Sequence, residues 1–213
     1  MALRLFFAIV ACAGLVRAAE PVHTLVFFGD SLTFGYGLDD PNAQSYPALI
    51  QQKIDREGLP WHVVNAGLSG DTTSDGLRRI NWVLRQHADV FVLALGSNDG
   101  LRGINPSLTQ MNLIAMIDRV RKQSPGTPVI LAGTLMPSSL GPDYVNAFDS
   151  IYPRVAQLEH VPLIPFLLAG VGGIPTLNQA DGIHPNSTGA AIVANTVWKT
   201  LAPFLTKVKV RAP

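Results

Sequence analysis

Cysteine is almost absent from this chain of 213 residues, and charged residues account for only 15% of it. The single cysteine, Cys12, lies in an apolar N-terminal run. The chain that follows this run has no thiol, which excludes disulfide bonds, a cysteine nucleophile and thiolate metal sites there. The lack of cysteine also suits an oxidising compartment.

The N-terminus has the pattern of a secretory signal peptide. Arg4 gives the start a positive charge, residues 5–16 are apolar, and residues 16–18 have the spacing of a cleavage site. A membrane-spanning helix is the alternative, but such a helix needs about 20 apolar residues. We therefore predict a signal peptide at 1–18 and a mature domain at 19–213.

A lipid-attachment site at Cys12 is a second alternative for this segment. It would leave the apolar residues 13–16 at the start of the mature chain, so we favour cleavage after Ala18. Cleavage there removes Arg4 and Arg17 and leaves 14 basic and 15 acidic residues, a net charge of −1. This balance predicts no strong attraction to nucleic acid.

Apolar runs alternate with amphipathic segments along the mature chain, which is long enough to bury one core. The predicted strands are 24–28, 61–65, 90–95, 128–132 and 161–164. The predicted helices are 45–58, 73–87, one that begins at 105–106, 144–160 with an interruption at Pro153, and 186–205. This order predicts an α/β fold, a three-layer α/β/α sandwich with a five-stranded parallel sheet.

Four polar, glycine-rich segments lie at the ends of these elements. GDSL follows the first strand, NAGLSGDTT the second and LGSNDG the third, while ADGIHP precedes the last helix. Ligands bind outside the carboxyl ends of the strands in an open parallel sheet. We therefore expect the four segments to converge at one edge of the sheet.

Ser31, within GDSL, is either a helix cap or a nucleophile. A serine hydroxyl is a weak nucleophile unless a base lies next to it. His184 lies in a polar turn with an acid, Asp181, three residues away, so one short loop can present a base and the group that orients it. The other four histidines are interpreted as structural. His23 lies near the cleavage site and His62 in a predicted strand, while His87 and His160 end predicted helices.

Acyl transfer also requires hydrogen-bond donors for the oxyanion that develops in the transition state. The backbone N–H groups of Ser31 and Gly70 and the side-chain amide of Asn98 can supply three such donors. Each of these segments also has a structural interpretation, and spacing alone does not decide between the structural and the catalytic one. The structural interpretations are helix caps at Asp30 and Asp71, a turn at Gly70, an Asx turn at Asn98, and an N-cap or a loop brace at Asp99.

Four blocks of the sequence resemble, in order, those of the SGNH (GDSL) hydrolase superfamily. They are GDSL at 29–32, SGDT at 69–72, GSND at 96–99 and DGIH at 181–184. The segments VVNAGLSGDTT, NDGLRG, AFDSIYP and DGIHPN are similar to the Gram-negative periplasmic group of multifunctional thioesterases, lysophospholipases and arylesterases. The resemblance covers essentially the whole mature chain.

The resemblance implies a serine esterase with Ser31 as nucleophile, His184 as general base and Asp181 as the carboxylate that orients the imidazole. It also implies an oxyanion hole formed by the N–H groups of Ser31 and Gly70 and the amide of Asn98. Such a reaction passes through an acyl-serine intermediate and needs no cofactor and no metal. The expected partner is a small acyl ester or thioester, with no nucleic acid, and the expected location is the periplasm or the cell exterior.

Two departures from the group bear on the substrate. Ser97 stands where the multifunctional thioesterase has a glycine, which predicts altered flexibility of the loop around Asn98. Pro142 and Asp143 stand where that enzyme has basic residues, which argues against phosphate-rich acyl-CoA. The glycine-rich segment 166–185 is similar to arylesterase members. Short-chain and aryl esters are therefore the expected substrates, with thioesters and lysophospholipids as the alternatives.

Two other functions compete with this prediction. The first is a non-catalytic ligand-binding module on the same fold. It is disfavoured because the nucleophile, the base, the orienting carboxylate and the auxiliary donors are all retained. The second is a nucleotide-binding domain. FGYGLDD offers only G-x-G for such a domain, and the pattern G-x-x-x-x-G-K-[ST] does not occur.

Two segments near the C-terminus have open interpretations. Asn186 begins a glycosylation pattern, but we expect it to cap the last helix. Lys207, Lys209 and Arg211 are expected to form a solvated tail, with transient contact to anionic membrane lipid as the alternative.

Overall fold

The computed structural model describes residues 22–207 of the chain. The predicted signal peptide at 1–18 lies outside these residues, and so do Lys209 and Arg211 of the predicted basic tail. Both interpretations therefore stay predictions.

Five strands form one parallel sheet, as the sequence predicts. They are β1 (His23–Gly29), β2 (Trp61–Gly67), β3 (Val90–Ala94), β4 (Val129–Ala132) and β5 (Leu163–Ile164), arranged in the order β2-β1-β3-β4-β5. The first strand is central, and its last residue, Gly29, is in register with Gly67 of β2 and Ala94 of β3. The carboxyl ends of these three strands therefore meet at one edge of the sheet.

Helices connect the strands and cover both faces of the sheet. They are α1 (Ser31–Phe34), α2 (Pro41–Gln44), α3 (Tyr46–Arg56), α4 (Thr73–Val83), α5 (Ser97–Leu101), α6 (Pro106–Gln123), α7 (Pro142–Asp149), α8 (Ile151–Leu158) and α9 (Ser187–Lys207). Short 3₁₀ turns occur at Ser138–Leu140 and Pro175–Leu177. Asn186 caps α9 as predicted, because its Oδ1 accepts a hydrogen bond from the Gly189 N–H at 3.0 Å.

The core lies in two layers, one on each face of the sheet. Successive side chains of a strand point to opposite faces, so Val26 and Phe28 face one layer while Leu25 and Phe27 face the other. The first layer is completed from α4, α6, α7 and α8 by Ile80, Val83, Leu113, Met116, Ile117, Phe148 and Val155. The second is completed from α3 and α9 by Ile50, Ile54, Val193, Val197 and Leu201. The three-layer α/β/α prediction is confirmed.

The predicted helix over 144–160 is divided into two, and the division lies at Ser150 rather than at Pro153. Pro153 has no N–H to donate to the Asp149 carbonyl, and its ring would clash with that carbonyl in a continuous helix. Ser150 itself keeps a helical backbone, with φ −73° and ψ −13°, so α8 follows α7 directly and begins at Ile151. This places Pro153 in the first turn of α8, where no backbone donor is required.

Candidate active site

Ser31 is held at the end of the central strand by a sharp turn. Asp30 follows β1 and caps α1, since its carboxylate accepts a hydrogen bond from the Leu32 N–H at 3.0 Å. Ser31 is the first residue of α1. A side chain at Gly29 would lie 2.0 Å from the Thr33 hydroxyl, so glycine is needed where α1 folds back on the strand. The turn presents Ser31 beyond the carboxyl end of β1.

His184 and Asp181 lie on the loop between β5 and α9. The Asp181 carboxylate accepts hydrogen bonds from the N–H groups of Ile183 and His184, at 2.9 and 3.0 Å, which closes the loop on itself. The Gln179 side chain donates to the Tyr36 carbonyl at 2.7 Å and so joins this loop to the segment after Ser31. Two distant parts of the chain are thereby fixed next to each other.

The side chains of Ser31, His184 and Asp181 form a continuous hydrogen-bonded chain. His184 Nε2 lies 2.8 Å from Ser31 Oγ, and His184 Nδ1 lies 2.6 Å from Asp181 Oδ2. Because Asp181 Oδ2 accepts the Nδ1 proton, Nε2 of the neutral imidazole is left as the acceptor that faces the serine hydroxyl. The aromatic ring of Tyr36 packs against the imidazole, with the two ring centroids 4.8 Å apart.

The carboxylate of Asp181 is strongly stabilised in its ionised form. Partial burial alone would raise its pKa, but the N–H of His184, the imidazole of His184 and the N–H of Ile183 outweigh that effect. The net result is a pKa lowered to about 2. Asp181 therefore carries a negative charge at neutral pH, directly beside Nδ1 of His184.

Three residues that carry N–H donors, Ser31, Gly70 and Asn98, border the cavity in front of Ser31. The backbone N–H groups of Ser31 and Gly70 have no hydrogen-bond acceptor among residues 22–207. Gly70 adopts a φ of 86°, a conformation that favours glycine. The Asn98 amide donates one N–H to the Asp71 carbonyl, at 3.0 Å, and its second N–H has no acceptor among residues 22–207. All three residues border the same space.

The cavity has a volume of about 700 Å³ and is mostly apolar. Apart from the residues of the hydrogen-bonded chain and the three donors, its lining includes Leu32, Tyr36, Leu101, Leu135, Met136, Pro137, Phe166, Leu168 and Ile183. No lysine or arginine within the described part of the chain lines it. Such a cavity accommodates an uncharged apolar group more readily than a multiply charged one.

Two structural interpretations from the sequence need correction, and a third is refined. Asp71 does not cap α4, because the cap is Thr72, which forms a reciprocal capping box with Asp75. Asp71 instead forms a salt bridge with Arg79. Asn98 does not form an Asx turn, since its amide reaches across to the Asp71 carbonyl. Asp99 is a brace between segments and accepts hydrogen bonds from the Thr73 backbone N–H, the Thr73 hydroxyl and the Thr109 hydroxyl.

The structure adds Tyr36 and Arg102, which the sequence did not single out, and gives Ser97, predicted only to alter the loop around Asn98, a place in the cavity. Tyr36 packs on the imidazole, and Arg102 hydrogen-bonds to Gly70 and Asn98. Ser97 lines the cavity, and its hydroxyl lies 3.4 Å from that of Thr134. Each lies within five residues of a predicted site residue, but no periodicity distinguishes such a side chain from an ordinary exposed one.

Residues 22–207 contain no cluster of three or more histidine, aspartate or glutamate side chains arranged to bind a metal ion. None of the helices in this range combines the length and the apolar character needed to cross a membrane.

Comparison with known proteins places these features in one family. The GDSL-like lipase/acylhydrolase family matches residues 27–192. Esterase TesA of Pseudomonas aeruginosa is 40% identical over 197 residues, which is 91% of this chain and 96% of that protein. Thioesterase 1/protease 1/lysophospholipase L1 of Escherichia coli K12 is 38% identical and covers 90% and 89%, respectively. An arylesterase of Vibrio mimicus is 34% identical and covers 90% and 94%.

Solved structures agree with the sequence relatives. A crystal structure of TesA, 41% identical, superposes with a TM-score of 0.80 and covers 85% of this chain and 99% of its own. These matches confirm the predicted fold and the predicted function of a serine hydrolase that acts on ester bonds. The chain belongs to the GDSL-like lipase/acylhydrolase family.

Proposed function

We propose that Ser31, His184 and Asp181 are the catalytic residues of this esterase. The observation that carries the proposal is the hydrogen-bonded chain from Ser31 Oγ through the imidazole to the carboxylate, with separations of 2.8 and 2.6 Å. Nucleophile, base and orienting group are within reach of one another, as acyl transfer through a serine requires.

In the first half of the reaction, His184 Nε2 takes the Ser31 proton while Oγ attacks the carbonyl carbon of the ester. The carbonyl oxygen becomes an oxyanion, which accepts hydrogen bonds from the N–H groups of Ser31 and Gly70 and from the Asn98 amide. Collapse of this intermediate breaks the bond to the leaving oxygen, which receives the proton from the imidazolium. The acyl group remains on Ser31.

In the second half, water replaces the alcohol. His184 takes a proton from the water as its oxygen attacks the acyl-serine, and a second oxyanion forms in the same position. Its collapse returns the proton to Ser31 Oγ and releases the carboxylic acid. Asp181 stays ionised throughout and stabilises the imidazolium in each half.

We propose short-chain and aryl carboxylic esters as the preferred substrates. The apolar lining of the cavity supports this preference, and so does the lack of lysine and arginine among the described residues that border it. The loop after β4 borders the cavity through residues 134–137, and Pro142 and Asp143 at its far end are exposed and offer no positive charge for a phosphate-rich leaving group. Thioesters and lysophospholipids are the second substrate class, supported by the name of the Escherichia coli relative.

We also propose that the mature protein spans 19–213 and acts in the periplasm or outside the cell, in line with the N-terminal pattern of the sequence. N-terminal sequencing of the protein from a Gram-negative host, after separation of periplasm from cytoplasm, tests both points. A cytoplasmic protein that retains residues 1–18 would contradict them.

The decisive experiment compares wild type with Ser31→Ala on nitrophenyl esters and acyl-CoA thioesters of increasing chain length. Ser107→Ala, an exposed serine on α6, is the matched control and should retain full activity. We expect wild type to prefer short esters and Ser31→Ala to lose activity by at least about 10³-fold. A nitrophenyl phosphonate should also react with Ser31 Oγ, lose nitrophenol and leave the mass of the phosphonyl group on a peptide that contains Ser31.

Each outcome has a distinct meaning. Wild-type rates in Ser31→Ala would contradict the assignment of the nucleophile. Preferential cleavage of long acyl-CoA would replace esters by thioesters as the substrate class. A protein that binds esters but turns over none would indicate a non-catalytic binding module.

A further inference from the structure

We propose that Arg102 is a positioning residue that holds the oxyanion hole in its active geometry; this inference rests on the proposed function. One nitrogen of its guanidinium, Nη2, donates to the Gly70 carbonyl at 2.9 Å and approaches Asn98 Oδ1 at 3.4 Å. Gly70 and Asn98 supply two of the three donors of the oxyanion hole. A single cation therefore contacts both.

The first consequence concerns the orientation of the Asn98 amide. A side-chain amide can rotate by 180° and exchange its oxygen for its nitrogen. Here Oδ1 faces the positively charged Arg102, and Nδ2 donates to the Asp71 carbonyl. A rotated amide would place its NH₂ against the guanidinium and its oxygen against a carbonyl, both repulsive contacts. Arg102 thus keeps the nitrogen at the side of the amide where its second N–H can reach the cavity.

The second consequence concerns the backbone at Gly70. Gly70 has no side chain and a φ of 86°, and the peptide plane that carries its carbonyl is held locally by the hydrogen bond from the Asp71 N–H to the Leu68 carbonyl at 3.2 Å. The hydrogen bond from Arg102 to the Gly70 carbonyl is a second restraint on this plane, and the one side-chain hydrogen bond that Gly70 receives within residues 22–207. It joins the segment of Gly70 to α5, which carries Asn98. The two donors are thereby kept in a fixed relation to each other.

Arg102 is available for this role. It directly follows α5, one turn after Asn98, and its side chain is solvent-exposed. Arg102 has a small electrostatic effect on Asp75, whose pKa is lowered mainly by the Thr72 hydroxyl and N–H, with Arg78 and Arg102 as smaller contributors. Asp75 pairs directly with Arg78. Arg102 does not border the cavity itself, so its effect is expected to pass through the oxyanion donors and not through contact with substrate.

The first test compares the kinetics of Arg102→Met, Arg102→Lys and the control Arg154→Met, an exposed arginine on α8. For Arg102→Met we expect kcat to fall about tenfold, which is less than the ~10²-fold loss of a donor itself, with KM unchanged within about twofold. Arg102→Lys should recover part of kcat, and Arg154→Met should match wild type. Thermal unfolding shows whether each variant is folded. If Arg102→Met is not folded, the kcat of Arg102→Lys is compared with that of wild type instead.

The second test is a double-mutant cycle with Asn98→Ala. If Arg102 acts through the oxyanion donors, Arg102→Met should lower kcat by a smaller factor in the Asn98→Ala background than in wild type. The affinity for a phosphonate that mimics the tetrahedral intermediate should fall in parallel with kcat. Equal factors in both backgrounds would overturn the inference, as would an unchanged kcat or a rise in KM alone.

These outcomes are separate from those of the proposed function. If Ser31→Ala is inactive and Arg102→Met has the kcat of wild type, only the role of Arg102 fails. If Ser31→Ala remains active, the catalytic assignment fails first.

Discussion

The guanidinium of Arg79 joins the segment that carries Ser31 to the segment that carries Gly70. Its Nε donates to the carboxylate of Asp71, and its Nη2 donates to the Gly29 carbonyl at 2.9 Å. The same group lies over the ring of Phe28, 4.1 Å from its centroid. Asp71 is buried, so its charge depends on this single partner for compensation among the described residues.

Replacement of Arg79 by methionine is expected to destabilise the protein by about 3–5 kcal/mol, because it leaves a buried carboxylate without its cation. Urea unfolding measures the change. Arg78→Met is the control. The Arg78 side chain is 72% exposed and forms only a surface pair, so its loss should cost less than about 1 kcal/mol. The double variant Arg79→Met/Asp71→Asn should recover part of the loss, and a double variant no more stable than the single one would contradict the argument.

Asp181→Asn tests the role of the carboxylate that orients His184. Asparagine preserves the shape of the side chain but removes the charge that stabilises the imidazolium. We expect kcat to fall by roughly 10² to 10⁴, with little change in KM. Since the pKa of Asp181 is lowered to about 2, the wild-type carboxylate stays ionised from pH 4 upward. The loss should therefore be present at every pH above 4, and a defect confined to acidic pH would refute the assignment.

Asp30 is expected to make stability depend on pH in an unusual direction. Burial raises its pKa from 3.8 to about 7, with a smaller contribution from Asp71 and opposition from the Leu32 N–H. Its Oδ2 is buried and has no hydrogen-bond partner among the described residues, which also disfavours the charged form. The folded state thus binds more protons than the unfolded state between pH 4 and 7. The contribution of Asp30 to stability is therefore fully present below about pH 4 and is lost as pH rises through 7.

The measurement compares wild type with Asp30→Asn by urea unfolding at pH 5 and pH 8. Asparagine can still accept the Leu32 N–H, but it does not ionise. Relative to Asp30→Asn, wild type should lose a few kcal/mol of unfolding free energy between the two pH values. Asp118→Asn, an exposed site on α6, serves as control and should track wild type. A constant difference between wild type and Asp30→Asn would show that Asp30 does not titrate in this range.

The longer helices could be predicted from the sequence because their apolar residues recur with the helical period, and the strands because they are short, mostly apolar runs. The five strands and the helices α3, α4, α6 and α9 fall where that pattern predicts, with ends shifted by up to four residues. The short helices α1, α2 and α5 span only four or five residues. They are stabilised by caps such as Asp30 and by tertiary contacts, which leave no period to detect.

The candidate site was predictable where a functional residue lies in a motif, and not where it acts through contacts between segments. Ser31, Gly70, Asn98, Asp181 and His184 all border one cavity, as the four motifs predict. The prediction of Asp71 as a helix cap is wrong. Its carboxylate pairs with Arg79, eight residues later on α4, and no local motif indicates that contact. Arg102 was not singled out, because its two acceptors become neighbours only in the folded chain.

The order of the site residues along the chain has a consequence for biosynthesis. Ser31 follows the first strand, while His184 comes 153 residues later, after the whole sheet. A ribosome that has produced the five strands has already made the proposed nucleophile and the three proposed oxyanion donors, but not the proposed base. Because a serine without its base is a weak nucleophile, we expect a nascent chain that stops before His184 to hydrolyse no esters. Esterase activity should therefore arise only when the loop between β5 and α9 has been made and has folded against Ser31.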